Sequence, residues 1–296
     1  MKWFGLAVIS FLLSSCSPVG KLYFFTDAYF YRAYPDFWSL APNLVQSQGF
    51  TWSPQLLPPF TTTLLGLELF TEELDSDKDL VVLSPLLTTE YFEKFREAYP
   101  EVRIILLHGE QSLSFSPTKV VQNNRKEAMA EAGRVGSIWM EARGPEAIAG
   151  AFFNLGSESR SQEKDIFLES WKEKISTDKI LSTDLYRQGD LDLVKQQMGA
   201  ISRNEVIQLI VAFSGAQNSF ILLQSDNPQV AILTEDWQDS PFKSSQVLGS
   251  VEWDWKSGLE LAIKEVTQDI WTPLDIPAKF IKNSFFNIAI QENTIP

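Results

Sequence analysis

The sequence has few of the residues on which most catalytic and metal sites are built. Its 296 residues include one cysteine, Cys16, and one histidine, His108. A lone cysteine excludes an internal disulfide, and a single histidine excludes a multi-histidine metal centre. The chain also contains no G-x-S-x-G, Walker A or G-x-G-x-x-G motif. We therefore predict a protein that is not an enzyme and that uses no metal or cofactor.

The chain also has fewer basic than acidic residues. The chain has 25 Lys and Arg against 38 Asp and Glu, for a formal net charge of −13. A field of this sign repels phosphate backbones, so we expect no nucleic-acid partner. Hydrophobic residues make up 44% of the chain, and no low-complexity linker interrupts them. Because this length exceeds that of one compact core, two lobes are expected.

The first residues have the pattern of an export signal. Lys2 precedes the apolar run "WFGLAVISFLL", which is too short to span a bilayer. The run ends at Leu13-Ser14-Ser15-Cys16, which resembles a bacterial lipobox. We predict that residues 1–15 are a lipoprotein signal peptide and that Cys16 carries the lipid, including palmitate-type chains. The protein would then be tethered to a membrane of the bacterial cell envelope, facing the periplasm or the exterior. The alternative is an ordinary signal peptide followed by an incidental buried cysteine.

Apolar runs of strand length recur along the rest of the chain. Each is nearly continuous rather than alternating, as expected for parallel strands covered on both faces. The runs are "LYFF" (22–25), "LVVLSP" (80–85), "VRIILLH" (102–108), "AIAGAFF" (147–153), "VIQLIVAF" (206–213) and "VAILTE" (230–235).

Segments with helical spacing of apolar residues lie between these runs. Thr89 is predicted to cap one helix, and Ser159 with Gln162 to form a capping box for another. Further stripes are Ala128, Ala132, Val135 and Trp139, and Trp255, Leu259, Ala262 and Val266. Alternating strands and helices predict an α/β fold with doubly wound parallel sheets.

The middle of the chain, residues 120–174, resembles the crossover of type I periplasmic solute-binding proteins. The later "VAILTEDW" and "VLGSVEWDWKSGLELAIKEV" are similar to the penultimate strand, the Ser-Val-acid strand and the returning helix of that family. The family includes sugar and nucleoside receptors, the basic membrane lipoproteins and the ligand domains of Lac-type repressors. The sequence shows no basic helix-turn-helix ahead of this domain, so a repressor is not expected. After the first strand, the stretch "FFTDAYFYRAYPDFW" offers Asp27 for the first acid of the basic membrane lipoprotein signature, but it lacks the glycine and the Ser-Phe.

The resemblance implies two doubly wound lobes with a ligand cleft between them. The first lobe would comprise residues 16–121 with a returning segment at about 250–270, and the second 122–249 with about 271–296. The implied function is capture of a sugar- or nucleoside-like solute by a monomer that closes on it and delivers it to an ABC permease. The alternative is an interaction lipoprotein of the same fold that binds no ligand and regulates a cell-envelope partner.

Ligands of open parallel sheets bind beyond the carboxyl ends of the strands. Polar residues at these positions are the predicted ligand contacts, although each could instead cap a helix. They are Asp27, Ser84, Asn154, Tyr186, Ser214, Glu235 and Asp236. The aromatic residues Tyr29, Phe30 and Tyr31 follow the first strand and could stack on a sugar or a base. His108, at the end of a buried run, is interpreted as a structural residue.

Overall fold

The computed structural model describes residues 19–27, 35–57, 74–84, 89–107, 111–155, 158–185, 191–201, 207–214, 230–235 and 246–283. The chain divides into two compact units. The first contains Asp36–Gln122 and Trp255–Leu274 together with the strand at residues 20–27. The second contains Asn123–Asp254 and the segment that begins at Asp275. The boundaries therefore lie at 122/123, 254/255 and 274/275; the predicted ones lay at 121/122, 249/250 and 270/271.

The first sheet has six strands in the order β11-β5-β4-β3-β1-β2, and the four strand pairs from β5 to β2 are all parallel. Three helices belong to the same unit. The strands of this sheet and the helices of this unit are β1 (Gly20–Asp27), α1 (Pro35–Ser47), β2 (Phe50–Leu57), β3 (Leu80–Leu83), α2 (Thr89–Ala98), β4 (Arg103–Leu107), β5 (Thr118–Asn124), α6 (Trp255–Thr267) and β11 (Leu274–Pro277). Of β11, only Leu274 belongs to the first unit, because the boundary lies at 274/275.

The second sheet has the order β12-β10-β9-β8-β6-β7 and is parallel except for β12, which runs antiparallel to β10. Its elements are α3 (Lys126–Glu141), β6 (Ile148–Asn154), α4 (Glu158–Lys172), β7 (Ile180–Leu185), α5 (Leu191–Ile201), β8 (Ile207–Phe213), β9 (Ala231–Glu235), β10 (Val247–Glu252) and β12 (Lys279–Lys282).

The six predicted strands all form, as β1, β3, β4, β6, β8 and β9. Each lies inside a sheet with a strand on either side. Strands β3 and β9 are buried along their whole length. A strand that is buried on both faces needs apolar residues at successive positions. This is why these strands appear in the sequence as nearly continuous apolar runs. The predicted α/β fold with parallel sheets is confirmed.

Helices α3 and α4 approach each other closely. The predicted stripe of α3 is buried, and Gly133 lies where an added Cβ would be 2.3 Å from the Phe167 carbonyl oxygen. A side chain at position 133 would therefore push the two helices apart. Helix α4 begins at Glu158, so Ser159 lies inside the helix rather than before it. The Ser159 side chain lies outside the described residues, so the predicted capping box stays a prediction.

Strand β5 is anchored within the first unit at its start and within the second unit at its end. Fully buried Lys119 donates to the Glu265 carboxylate and to the Thr272 carbonyl oxygen. After the 122/123 boundary, the Asn124 carbonyl accepts from the Ala278 amide at 2.8 Å, and Asn124 Nδ2 donates to Asp275 Oδ2 at 3.1 Å. Each end of the strand is thereby tied to its own unit.

Candidate functional site

Both sheets contain the same strand order, and this order defines where polar residues gather. The first sheet contains β2-β1-β3-β4-β5, and the second contains β7-β6-β8-β9-β10. In such doubly wound sheets the winding reverses at one strand pair, and ligands bind beyond the carboxyl ends of that pair. The pairs are β1 with β3 and β6 with β8. We take the carboxyl edges of these strands as the candidate site of each unit.

In the first unit, two buried hydroxyl groups lie at this reversal point. The residue pair Phe25 and Leu83 is in register, which places Thr26 beside Ser84 on the adjacent strands. The Ser84 amide donates to the Phe25 carbonyl at 3.0 Å, which extends the strand pairing to the edge. Thr26 and Ser84 are both 0% exposed. Within the described part of the chain, neither hydroxyl has a hydrogen-bond partner.

In the second unit, the reversal point holds a carboxamide and a hydroxyl. The residue pair Phe153 and Phe213 is in register, which places Asn154 beside Ser214. Ser214 is buried, and Asn154 is half-buried. Two predicted contacts therefore lie side by side, although they are 60 positions apart in the sequence.

Next to this pair, the end of β9 carries a buried network of four charged side chains. Glu235 Oε2 accepts from Arg125 Nη1 and, at 2.9 Å, from Arg160 Nη1. Glu163 Oε2 lies 3.4 Å from Arg125 Nε and 3.3 Å from Arg160 Nη1. Each carboxylate thus contacts both guanidinium groups, and the four groups close a ring with no net formal charge. We call this ring the Arg–Glu network.

The members of the Arg–Glu network differ in exposure. The side chains of Arg125 and Glu235 are 2% exposed and that of Glu163 is 6% exposed, whereas that of Arg160 is 14% exposed. Removing such charges from water is costly unless each one is paired. The closed ring meets this requirement, and Arg160 is its member nearest to solvent.

A separate ion pair involves β7, the edge strand next to β6. Lys164 Nζ contacts both carboxylate oxygens of Asp184 at 2.7 Å. It joins helix α4 to β7 one residue before the strand ends. Carboxylates at the edges of the second sheet are thus already paired with cations from α4.

The structure describes only part of the predicted site. It places Ser84, Asn154, Ser214 and Glu235 at strand ends, and the backbone of Asp27 ends β1. Cys16, Tyr29, Phe30, Tyr31, Tyr186 and Asp236 lie outside the described residues.

Arg125, Arg160 and Glu163 were missed by the sequence analysis. One local signal existed, because Arg160 and Glu163 are three positions apart and so share a face of the predicted helix. Asn123, whose buried Oδ1 has no hydrogen-bond partner among the described residues, was also missed. Within the described ranges no group of His, Cys, Asp or Glu is arranged to hold a metal ion. No helix in those ranges is long and apolar enough to cross a membrane.

Comparison by sequence gives no match, either to a protein-family model or to a curated protein. Comparison of the fold, in contrast, finds similar solved structures. An ABC transporter solute-binding protein from Aeropyrum pernix K1 superposes with a TM-score of 0.70 at 16% identity, covering 94% of this chain and 82% of that one. The chain has the type I periplasmic binding protein-like fold.

Two further structures of this fold were solved with sugars. A carbohydrate transporter solute-binding protein from Agrobacterium radiobacter, in complex with D-arabinose, matches at TM-score 0.62 and 17% identity, covering 94% of this chain and 99% of that one. A periplasmic solute-binding protein from Actinobacillus succinogenes 130z, with bound D-allose, matches at TM-score 0.64 and 14% identity, covering 92% of this chain and 99% of that one.

Proposed function

We propose that this protein is an extracytoplasmic solute-binding protein that captures a small, hydroxyl-rich solute at the carboxyl ends of its strands. The solute would be sugar- or nucleoside-like and would be delivered to an ABC permease by a monomeric receptor. The observation that carries the proposal is the pair of buried hydroxyls, Thr26 and Ser84, at the reversal point of the first sheet.

A buried hydroxyl without a partner costs about 1–3 kcal/mol, so folded proteins rarely keep two side by side. A solute hydroxyl would remove this cost, because it both donates and accepts hydrogen bonds. The position supports the same interpretation, since the reversal point of a doubly wound sheet is where such folds bind ligands.

The carboxyl edge of the second unit has charged groups of the kind that bind solute hydroxyls. Arg160 and Glu235 lie at the end of β9, and charge-assisted hydrogen bonds to solute hydroxyls are stronger than neutral ones. The sugars named for two structural neighbours support this choice of solute class.

Calorimetric titration with D-arabinose and D-allose tests the proposal. We expect wild type to bind one of them, and Ser84→Ala and Thr26→Val to weaken binding by about 1–3 kcal/mol. Ser137→Ala is the matched control, because Ser137 is a fully buried serine whose hydroxyl already donates to the Arg134 carbonyl at 2.9 Å. Equal affinity in all four proteins would contradict the assignment of this edge as the site.

The alternative, an interaction lipoprotein that binds no ligand, is favoured by one observation: Glu235 is occupied by two arginines of its own chain. The same titration separates the two functions. If neither sugar nor any nucleoside in a wider panel binds, the alternative is favoured.

Lipid attachment is part of the proposal. We expect the mature protein to begin at an acylated Cys16 and to be tethered to a membrane by that lipid. Mass spectrometry of the N-terminal peptide from membrane-extracted protein checks this. An unmodified Cys16, or an intact Met1, would contradict it.

Two further predictions from the sequence remain as proposals. If Tyr29, Phe30 or Tyr31 stacks on the solute, its replacement by Ala should weaken binding by about 1–3 kcal/mol and leave folding intact. The predicted closure on the solute would appear as a smaller radius of gyration in small-angle scattering with the bound sugar.

A further inference from the structure

The Arg–Glu network joins four buried or half-buried charged side chains, whereas a structural ion pair joins two. Replacing a buried ion network by apolar side chains of similar volume is often neutral or stabilising, so stability alone does not explain why the chain keeps one. This network also lies at the carboxyl end of β9, on the edge where ligands of parallel sheets bind. Both observations suggest that the network serves the binding edge.

The four members divide into two outer and two inner roles. Glu235 ends the strand, and Arg160 is the side chain nearest to solvent. Arg125 is 2% exposed, and Glu163 is almost as deeply buried. Glu235 is buried as deeply as Arg125, so burial alone does not divide these roles. We assign Glu235 an outer role because it ends a strand at the binding edge, and inner roles to Arg125 and Glu163 because they contact Glu235 and Arg160 without ending a strand of the second sheet.

Each inner residue contacts one outer residue and the other inner residue. Arg125 pairs with Glu235 through Nη1 and with Glu163 through Nε, and Glu163 in turn contacts Arg160. Arg160 contacts both carboxylates through the same atom, Nη1, so a shift of either carboxylate changes a contact of its guanidinium group. Arg125 directly follows β5 and precedes α3, so the main chain on both sides of it is ordered.

We propose that Arg125 and Glu163 are positioning residues that hold Arg160 and Glu235 as the polar solute contacts of the second unit. This rests on the proposed function. Neither inner residue touches the solute; each sets the geometry of a residue that does.

The first measurement is affinity for whichever of D-arabinose and D-allose wild type binds more tightly. Arg125→Met should weaken binding by about tenfold, a typical coupling within one ion network. Arg125→Lys should restore part of the loss, because an ammonium can still pair with Glu235 but lacks the second nitrogen that reaches Glu163. If Arg125→Met folds poorly, Glu163→Gln keeps the shape of the side chain and should weaken binding in the same direction.

Lys119→Met is the matched control. Lys119 is also a fully buried cation paired with a glutamate, but it lies near the start of β5 in the first unit rather than at a binding edge. We expect this variant to lose stability and keep the affinity of wild type. Affinities are compared at a temperature at which circular dichroism shows each variant to be folded.

The second measurement needs no ligand. The Nε–H signal of Arg160 in nitrogen-edited NMR spectra, assigned by its loss in Arg160→Lys, should shift or broaden in Arg125→Met and Glu163→Gln but not in Lys119→Met. An unchanged signal in Arg125→Met would overturn the proposal, and so would a changed signal with unchanged sugar affinity. If wild type binds neither sugar, the proposed function fails for these solutes, while the signal still decides whether Arg125 positions Arg160.

Discussion

The carboxyl edges of the two units both bury polar side chains, but they differ in whether those side chains have partners in the protein. The first unit buries two neutral hydroxyls, those of Thr26 and Ser84, which have no hydrogen-bond partner in the described part of the chain. The second unit buries four charges that pair with one another in the Arg–Glu network. Both edges belong to sheets with the same strand order.

The difference shows what each edge can tolerate. An unsatisfied buried hydroxyl costs about 1–3 kcal/mol, which a folded protein can still tolerate, so the first edge can fold with its polar groups unsatisfied. An unpaired charge costs far more, so the second edge must satisfy its groups within the protein before any solute arrives. Mutations at the two edges should therefore change stability by different amounts and in different directions.

The largest effect is expected at the second edge. Glu235→Ala leaves Arg125 and Arg160 with one carboxylate between them and should lower the free energy of unfolding by about 3–5 kcal/mol. Urea titration, with hydrogen exchange followed at β9, measures the loss. Glu131→Ala is the control, since Glu131 also contacts two cations, Arg134 and Lys282, but is 30% exposed. That variant should lose only about 1 kcal/mol. Similar losses in the two variants would contradict the role of burial.

An intermediate effect is expected from the buried cation of the first unit. Lys119→Met removes a fully buried ammonium, but its partner Glu265 is 29% exposed and can be hydrated instead. We expect a loss of about 1–3 kcal/mol, mainly from the hydrogen bonds to Glu265 and to the Thr272 carbonyl. Urea titration measures this as well. A loss of stability as large as that of Glu235→Ala would show that hydration of the Glu265 carboxylate does not compensate for the lost ammonium group.

The smallest effect is expected at the first edge, and its sign is reversed. Without a solute, Thr26→Val removes an unsatisfied hydroxyl at nearly constant volume and should leave stability unchanged or raise it by about 1 kcal/mol. Thermal unfolding of the sugar-free protein checks this. If the variant is instead destabilised by more than about 1 kcal/mol, the hydroxyl has a partner in the protein, and the two edges are less different than proposed.

Six central strands could be predicted from their apolar runs, and the edge strands could not. Strands β2 and β7 were missed, and each lies at the end of its sheet. Along β2, buried Phe50 and Leu57 enclose half-buried and exposed residues that include Pro54. Strand β7 carries Ser182, Thr183 and Asp184 between two buried ends. An edge strand is covered less fully, so it lacks the continuous apolar run on which the prediction depended.

The sequence alone determined the fold class, because central strands and amphipathic helices impose periods of hydrophobicity that can be read locally. It also determined that polar residues follow the strands, as Ser84, Asn154, Ser214 and Glu235 do. Only the tertiary structure decided which of these groups meet. Thr26 lies beside Ser84 because the two strands that carry them pair in parallel. Glu235 contacts Arg125, which lies about a hundred residues earlier in the chain, just before helix α3. Hydrogen bonds and ion pairs depend on distances of a few ångströms, and local sequence patterns carry no such information.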